Sequence, residues 1–156
     1  MTIGQQDKNM VSEIQVLILH LREEKFGVEI ASVHEVARMM DITTINEPSG
    51  FIRGVVNLRG QIIAVVDLAK QFGFLAMKKI PRTARIVFIE FRENIFGLIV
   101  DQVSDVIKIF IEHDDPGRND VQTVVQRNYI KGVGRAVQGP IIVLDMEKVF
   151  SKFIKG

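Results

Sequence analysis

Apolar residues along this chain occur in short runs that alternate with small or polar residues, which is the pattern of β-strands. Residues 16–21 are followed by a charged turn and by the alternating segment 26–30, and together they predict a hairpin. Residues 54–66 predict another hairpin, with its turn near Arg59-Gly60. Residues 86–100 and 132–144 predict two more, the last turning near Gln138-Gly139. The pattern therefore indicates an all-β chain.

The hydrophobic pattern repeats along the chain. Residues 15–36 match residues 85–106 without a gap at a shift of 70 positions, which places Phe26 on Phe96. Residues 51–72 match residues 129–150 at a shift of 78, which places Asp67 on Asp145. Two gap-free matches in the same order indicate a duplication. We therefore predict two similar modules in which each matched pair occupies equivalent strands.

Two segments break the strand alternation. In residues 31–36 and 101–106 the valines are three positions apart, which predicts a helical turn or an irregular crossing rather than a strand. Further short strands are predicted at 38–45 and 107–111. Asp67 and Asp145 each precede a helix-compatible stretch, at 68–72 and 146–154, and are predicted to be N-caps because their carboxylates can accept from the first amides.

The elements predict two small barrels in tandem, since short strands that close on themselves leave no sticky edge. We assign a first subdomain to about 13–76 and a second to about 82–150, within one domain over 13–155. Residues 1–12 are predicted to be a flexible N-terminus, and residues 73–85 to link the subdomains. A short helix is predicted to close the C-terminal end.

Composition narrows the function. The 156 residues include no cysteine, which excludes disulfides, thiolate metal sites and cysteine nucleophiles. The net charge of +1 does not support a nucleic-acid footprint over the whole domain. No apolar run approaches the ~20 residues that span a bilayer, and the N-terminus lacks a signal-peptide pattern. We therefore expect a cytoplasmic protein with no direct membrane insertion.

No set of residues in the sequence suggests catalysis. The three histidines lack metal-ligand spacing, and the glycines at 132, 134 and 139 do not follow the phosphate-loop pattern. Asp114, Asp115 and Asp120 lack the final glutamate of a calcium loop. We expect no metal, no cofactor, no enzymatic activity and no turnover of nucleotide.

Three longer motifs occur in order along the chain: FIRGVVNLRG at 51–60 with VVDL at 65–68, GLIVDQVSDV at 97–106, and YIKGVG at 129–134. They resemble motifs of the CheW family of chemotaxis proteins. The resemblance runs from about Glu13 to Phe153. It implies two SH3-like five-stranded β-barrels and a non-catalytic adaptor in chemotaxis signal transduction. Such an adaptor joins the cytoplasmic helical tip of chemoreceptors to the regulatory domain of the histidine kinase CheA. It would be a monomer alone and part of receptor arrays when bound.

The resemblance also implies site residues. Those matching the segments associated with receptor contact are Val33, Glu35, Val36, Val103, Asp105 and Val106. Those matching the region linked to receptor and kinase coupling are Gly54, Arg59 and Gly60. Core packing is the alternative role for the four valines, and a solvated turn is the alternative for Arg59. The chain departs from the family at Ala64, where proline is frequent, and at Ala69, where arginine is frequent.

Two other classes of function stay open from the sequence. Small barrels often bind RNA, and the calculated pI is about 8.0. Against this, the chain has one tyrosine and dispersed basic residues, whereas single-stranded nucleic acids are bound on aromatic platforms in a basic groove. An enzyme of another kind has no supporting residues. A salt-dependent gel shift separates nucleic-acid binding from the adaptor function.

Overall fold

Ten strands arranged in two five-stranded sheets make up most of the described chain. The computed structural model describes residues 11–113 and 125–154. The strands are β1 Val11–Leu21, β2 Glu24–Glu29, β3 Val33–Arg38, β4 Ile52–Leu58, β5 Gln61–Asp67, β6 Arg85–Phe91, β7 Asn94–Val100, β8 Gln102–His113, β9 Ile130–Ala136 and β10 Gly139–Leu144. Two short helices, α1 Leu68–Gln71 and α2 Met146–Phe150, and 3₁₀ turns at Ile30–Ser32, Arg127–Tyr129 and Ser151–Phe153 complete the described elements. The all-β prediction, with short helical turns and a C-terminal helix, is confirmed.

The N-terminal strand begins earlier than predicted. Val11 and Ser12 already belong to β1, opposite Glu112 and Ile111 of β8. The predicted flexible segment 1–12 therefore does not extend to its last two residues, and residues 1–10 lie outside the described part of the chain. The aspartates considered for a calcium loop, at 114, 115 and 120, also lie outside it.

The two sheets exchange hairpins between the halves of the chain. One sheet is a closed barrel with the order β1-β2-β10-β9-β8, and the other has the order β3-β6-β7-β5-β4. Each therefore combines one hairpin from one half with three strands from the other. The assignment of subdomains to about 13–76 and about 82–150 is wrong on this point. Equivalent hairpins carry the same apolar pattern, so the pattern alone does not decide which half a hairpin joins.

The duplication itself is confirmed by the strand register. In the closed barrel Val143 of β10 lies opposite Gly27 of β2, in a parallel pair. In the second sheet Val65 of β5 lies opposite Gly97 of β7, also in a parallel pair. These partners are related by the shifts of 78 and 70 found in the sequence. The same register places Phe26 and Phe96 in equivalent strands, β2 and β7.

The segments with three-residue spacing are strands that contain β-bulges, so the prediction of a helical turn there is wrong except at Ile30–Ser32. Val33 pairs with Ile89 and Val36 with Val87, so three residues of β3 span two of β6. A bulge inserts one extra residue and so keeps two side chains three positions apart on one face of the sheet. The equivalent pairs in the closed barrel are Val103 with Leu19 and Val106 with Leu17.

Both predicted N-caps are present. The Asp67 side chain accepts a hydrogen bond of 3.1 Å from the amide of Lys70 at the start of α1. The Asp145 side chain accepts one of 3.4 Å from the amide of Lys148 in α2. The two carboxylates thus serve as structural caps, as the sequence indicated.

The largest apolar core lies between the two sheets. Buried residues of both sheets and both helices form it, including Leu19, Phe26, Val87, Leu98 and Phe150. Aromatic rings join across it: Phe96 stacks on Phe150 at 4.6 Å and Phe72 lies 5.0 Å from Tyr129. Smaller clusters around Ile109 and around Phe88 belong to the separate barrels. Because the shared core is the largest, neither barrel can expose it without a large hydrophobic cost.

The second sheet closes into a barrel through the segment that follows β3. Thr43 forms two backbone hydrogen bonds with Val55, of 2.9 and 2.8 Å. A Cβ at Gly54 would lie 2.2 Å from the carbonyl oxygen of Thr43 and 2.7 Å from Ile42 Cγ2. Because Gly54 has no side chain, the segment around Thr43 can approach β4 closely. Closure of the barrel therefore depends on Gly54.

We expect Gly54→Ala to lower the free energy of unfolding by about 3 kcal/mol, because the methyl group would push against backbone rather than a movable side chain. The control is Gly73→Ala, where φ is +86° and no atom lies within 4 Å of the added Cβ. That change should cost only about 1 kcal/mol, from the left-handed backbone. Urea denaturation of both variants measures the difference. Equal losses would contradict the role of Gly54 in closure.

Candidate functional site

Two pairs of valines occupy equivalent places beside the apolar core between the two sheets, which we call the central core. Val33 and Val103 are partly buried against that core. Val36 and Val106 lie one bulge further along β3 and β8 and are 39% and 48% exposed. Each pair thus begins at the core and ends in solvent. Core packing therefore explains the placement of Val33 and Val103. Val36 and Val106 remain available for contact with a partner protein.

The Arg59-Gly60 turn joins β4 to β5 as the sequence predicted. Both residues have positive φ, 51° and 89°, which is the backbone of a two-residue type I′ turn. The Asn57 side-chain oxygen accepts a hydrogen bond of 2.7 Å from the Gly60 amide. Gly60 meets the positive φ without strain and holds Arg59 at the tip. Gly60 is therefore a positioning residue.

Arg59 forms a two-point ion pair with Glu35. Its Nη1 atom donates to Glu35 Oε1, and its Nη2 atom donates to Oε2 at 3.1 Å. The arginine side chain is 73% exposed and that of the glutamate 23%. Hydrogen bonding to Arg59 lowers the pKa of the Glu35 carboxyl below its usual value, and the same contact raises the pKa of Arg59. The pair fixes the direction of a guanidinium that otherwise faces water.

The ion pair connects opposite ends of the second sheet. Glu35 lies on β3 and Arg59 follows β4, and these are the first and last strands in the order of that sheet. His34 adds a ring nitrogen 4.0 Å from Glu35 Oε1. The pairing between residues 24 positions apart was not predicted, although both were candidates, because no local pattern relates them. The fold alone brings them together.

The positions of the closed barrel that are equivalent to Glu35 and Arg59 carry a different set of side chains. The duplication places Asp105 on Glu35 and Val137 on Arg59. Val137 is fully exposed at the tip of its hairpin, and Asp105 is exposed on β8. The two ends of the molecule therefore share a backbone but differ in charge. The receptor-segment candidates fall into two groups, one on β3 beside Arg59 and one on β8 of the other barrel.

A cavity of about 550 Å³, which no sequence pattern predicted, lies beside the linker between α1 and β6. Arg22 and Asp101 form an ion pair of 3.0 Å at its edge, and the Arg22 side chain also donates to the carbonyl of Leu75. None of the candidate site residues lines this cavity. Across the described residues, no cluster of three or more histidine, aspartate or glutamate side chains could hold a metal ion.

The described residues define a class of protein: a double β-barrel module with exposed apolar strand positions and an oriented surface arginine. This surface is suited to contact with another protein, since arginine is among the residues enriched at the centres of protein interfaces. No helix in the described ranges is long and apolar enough to span a membrane.

Comparison with known proteins identifies the family. The model of the CheW-like domain matches residues 15–153. The chemotaxis protein CheW of Klebsiella aerogenes is 32% identical over 137 residues, covering 88% of this chain and 81% of that protein. CheW of Thermotoga maritima is 28% identical over 91% of each chain. The crystal structure of the scaffolding protein TtCheW from Thermoanaerobacter tengcongensis superposes with a TM-score of 0.74, at 34% identity and 86% coverage of both chains. This chain belongs to the CheW family.

We expect the Glu35 carboxyl to titrate below the usual glutamate range, because the paired guanidinium favours its charged form. Since the folded pKa is lowered, the pair stabilises the fold above the ordinary glutamate pKa, and this stabilisation is lost as pH falls through the lowered value. Carbon NMR of the side-chain carboxyl follows the titration. Arg59→Ala should move the midpoint upward, whereas Arg53→Ala should not. An unchanged midpoint in Arg59→Ala would disprove the coupling.

Proposed function

We propose that this chain is a non-catalytic adaptor of chemotaxis signalling, which couples the cytoplasmic tip of chemoreceptors to the histidine kinase CheA. Membership of the CheW family supports the adaptor function, as do relatives named as chemotaxis and scaffolding proteins. The single observation that carries the proposal is the oriented Arg59–Glu35 pair, in which Glu35 is the neighbour of the exposed Val36 on β3. It combines a directed charge with an apolar contact.

The valines supply the proposed receptor contact. Val36 and Val106 present β-branched side chains, which are stiff and lose little entropy when a partner covers them. Val33 and Val103 tie the same strands to the central core. An α-helix of a receptor tip that packs on either exposed valine would bury apolar surface without reorganising the barrel. Glu35 lies beside Val36 and Asp105 beside Val106, and each can accept hydrogen bonds from a helix docked there.

Arg59 supplies the proposed coupling contact with receptor or kinase. A guanidinium has five N–H donors, and the two bonds to Glu35 leave others free to donate. Because the ion pair already orients the group, less rotamer entropy is lost when it binds a carboxylate or a carbonyl. Gly60 sets the turn on which Arg59 is presented, and Gly54 acts through the barrel rather than through contact.

The alternative of a nucleic-acid-binding double barrel gains no support. The one tyrosine, Tyr129, is buried in the central core and cannot stack on a base. Phe110 is exposed at 57%, but a single ring does not form a stacking platform. Family membership also favours the adaptor, and recruitment of a cytoplasmic adaptor to receptor arrays through its partners follows from that function.

We expect Arg59→Ala to leave the melting temperature nearly unchanged while it weakens binding to receptor, kinase or both. A loss of roughly thirtyfold in dissociation constant is typical of truncating an arginine at the centre of an interface. Arg92→Ala is the matched control, because Arg92 also occupies a hairpin turn with positive φ and pairs with a glutamate, Glu147. Melting and affinity are measured on the same preparations. Early unfolding with unchanged affinity would show that Arg59 is structural.

We also expect the purified protein to turn over no nucleotide, because no cluster of three or more histidine, aspartate or glutamate side chains in the described residues could hold a metal ion, and phosphoryl transfer from nucleotides depends on a bound metal ion. A coupled assay for ADP release at high protein concentration measures this. The control is the same preparation after thermal denaturation, which removes any contribution of the fold. ATP hydrolysis that a single substitution in this chain abolishes would overturn the non-catalytic assignment.

A further inference from the structure

Three arginines converge on one shallow cavity at the outer edge of the second sheet. Arg38 of β3 lies directly opposite Arg85 of β6 in their antiparallel pair. Arg82, just before β6, lines the same cavity, which has a volume of about 500 Å³. Met39, Ile80 and Pro81 add apolar surface to its lining. The cavity is therefore lined by both basic and apolar side chains.

No carboxylate in the described residues pairs with these arginines. The Arg85 guanidinium instead donates to two backbone carbonyls, those of Ala84 at 2.8 Å and Arg82 at 3.2 Å. Glu35, on the same strand as Arg38, is held by Arg59. Like charges directly opposite in an antiparallel pair destabilise a sheet. The fold thus maintains an electrostatic cost at this position.

The internal repeat shows that the barrel does not require this charge. The duplication places Gln15 on Arg85, and the strand register extends it to place Lys108 on Arg38. Gln15 and Lys108 pair across β1 and β8 in the same register as the two arginines. The same strand pair therefore accommodates one cation where the second sheet has two. The arginine cluster is a property of this surface and not of the fold.

We propose that this cavity is a docking site for an acidic segment of a partner protein, with at least two carboxylates flanking an apolar side chain. Guanidinium groups bind carboxylates through two parallel hydrogen bonds, which matches the basic lining of the cavity. The apolar lining matches a leucine or similar side chain between the carboxylates. The cavity shares no residue with the candidate site described above, so the proposal does not depend on the adaptor function.

The charges favour an acidic peptide over a phosphate group. Arg85 donates to the carbonyls of Ala84 and Arg82 through Nη1, and its other N–H groups stay available to a ligand. The arginines approach from two strands and from the segment before β6, so they can bind carboxylates that are separated along a chain. Binding would also relieve the repulsion between Arg38 and Arg85.

The test uses the full chain and a synthetic peptide, Gly-Glu-Leu-Glu-Glu-Leu-Glu-Gly, in NMR titrations at low ionic strength. We expect shifts at the amides around the cavity, and an affinity that falls at least about fivefold in Arg38→Gln and in Arg85→Gln. The matched control, Lys108→Gln, removes a cation from the equivalent position of the other barrel and should leave the affinity unchanged. A peptide with glutamine in place of each glutamate should not bind.

Stability distinguishes a docking site from a structural cluster. Because the arginines repel each other, Arg38→Gln should melt at the same temperature as the parent chain or higher. Melting several degrees earlier would overturn the proposal. So would equal affinity in all three variants, or displacement of the peptide by pyrophosphate. Arginine-dependent binding to anionic phospholipid vesicles without peptide binding would assign the site to lipid headgroups and would also overturn it.

Discussion

The apolar core between the two sheets is the constraint on which the rest of the structure depends. It takes side chains from both halves of the chain, and Phe96 of one hairpin stacks on Phe150 of α2 within it. Each barrel contains a hairpin from the other half, held by a parallel strand pair. Separation of the halves would therefore break both barrels as well as the core between them. The molecule is one cooperative unit despite its duplicated sequence.

The β-bulges connect this core to the surface. In each sheet the bulge keeps two valines on the face that looks toward the core, with the inner one packed and the outer one exposed. A regular strand would turn the outer valine to the opposite face. The same irregularity therefore stabilises the fold at Val33 and Val103 and presents Val36 and Val106 to solvent. Bulges frequently re-aim side chains next to functional sites in this way.

Local features of the fold could be predicted from the sequence. Features that depend on which strands pair with each other could not. The hairpin turn at Arg59-Gly60 and the caps at Asp67 and Asp145 follow from residue types with known backbone preferences. The bulged strands were predicted to be helical turns because a bulge imitates helical spacing. The exchange of hairpins is not local, since duplicated strands offer identical patterns to either half. The site residues came from the family motifs, but the contact between Glu35 and Arg59 exists only in the folded barrel.

Duplication followed by divergence of charge gives this molecule two unlike ends on one backbone. Where one barrel places Arg59, Glu35, Arg38 and Arg85, the other places Val137, Asp105, Lys108 and Gln15 at the corresponding positions. The backbone register at these positions is the same in both sheets, so the difference lies in side chains alone. An adaptor must bind different partners at the same time, and two identical faces would compete for the same one. Differences in surface charge discriminate between partners by leaving wrong pairings with unmatched charges. A duplicated barrel can therefore join two different proteins if its two halves keep the same backbone but carry different side chains on their surfaces.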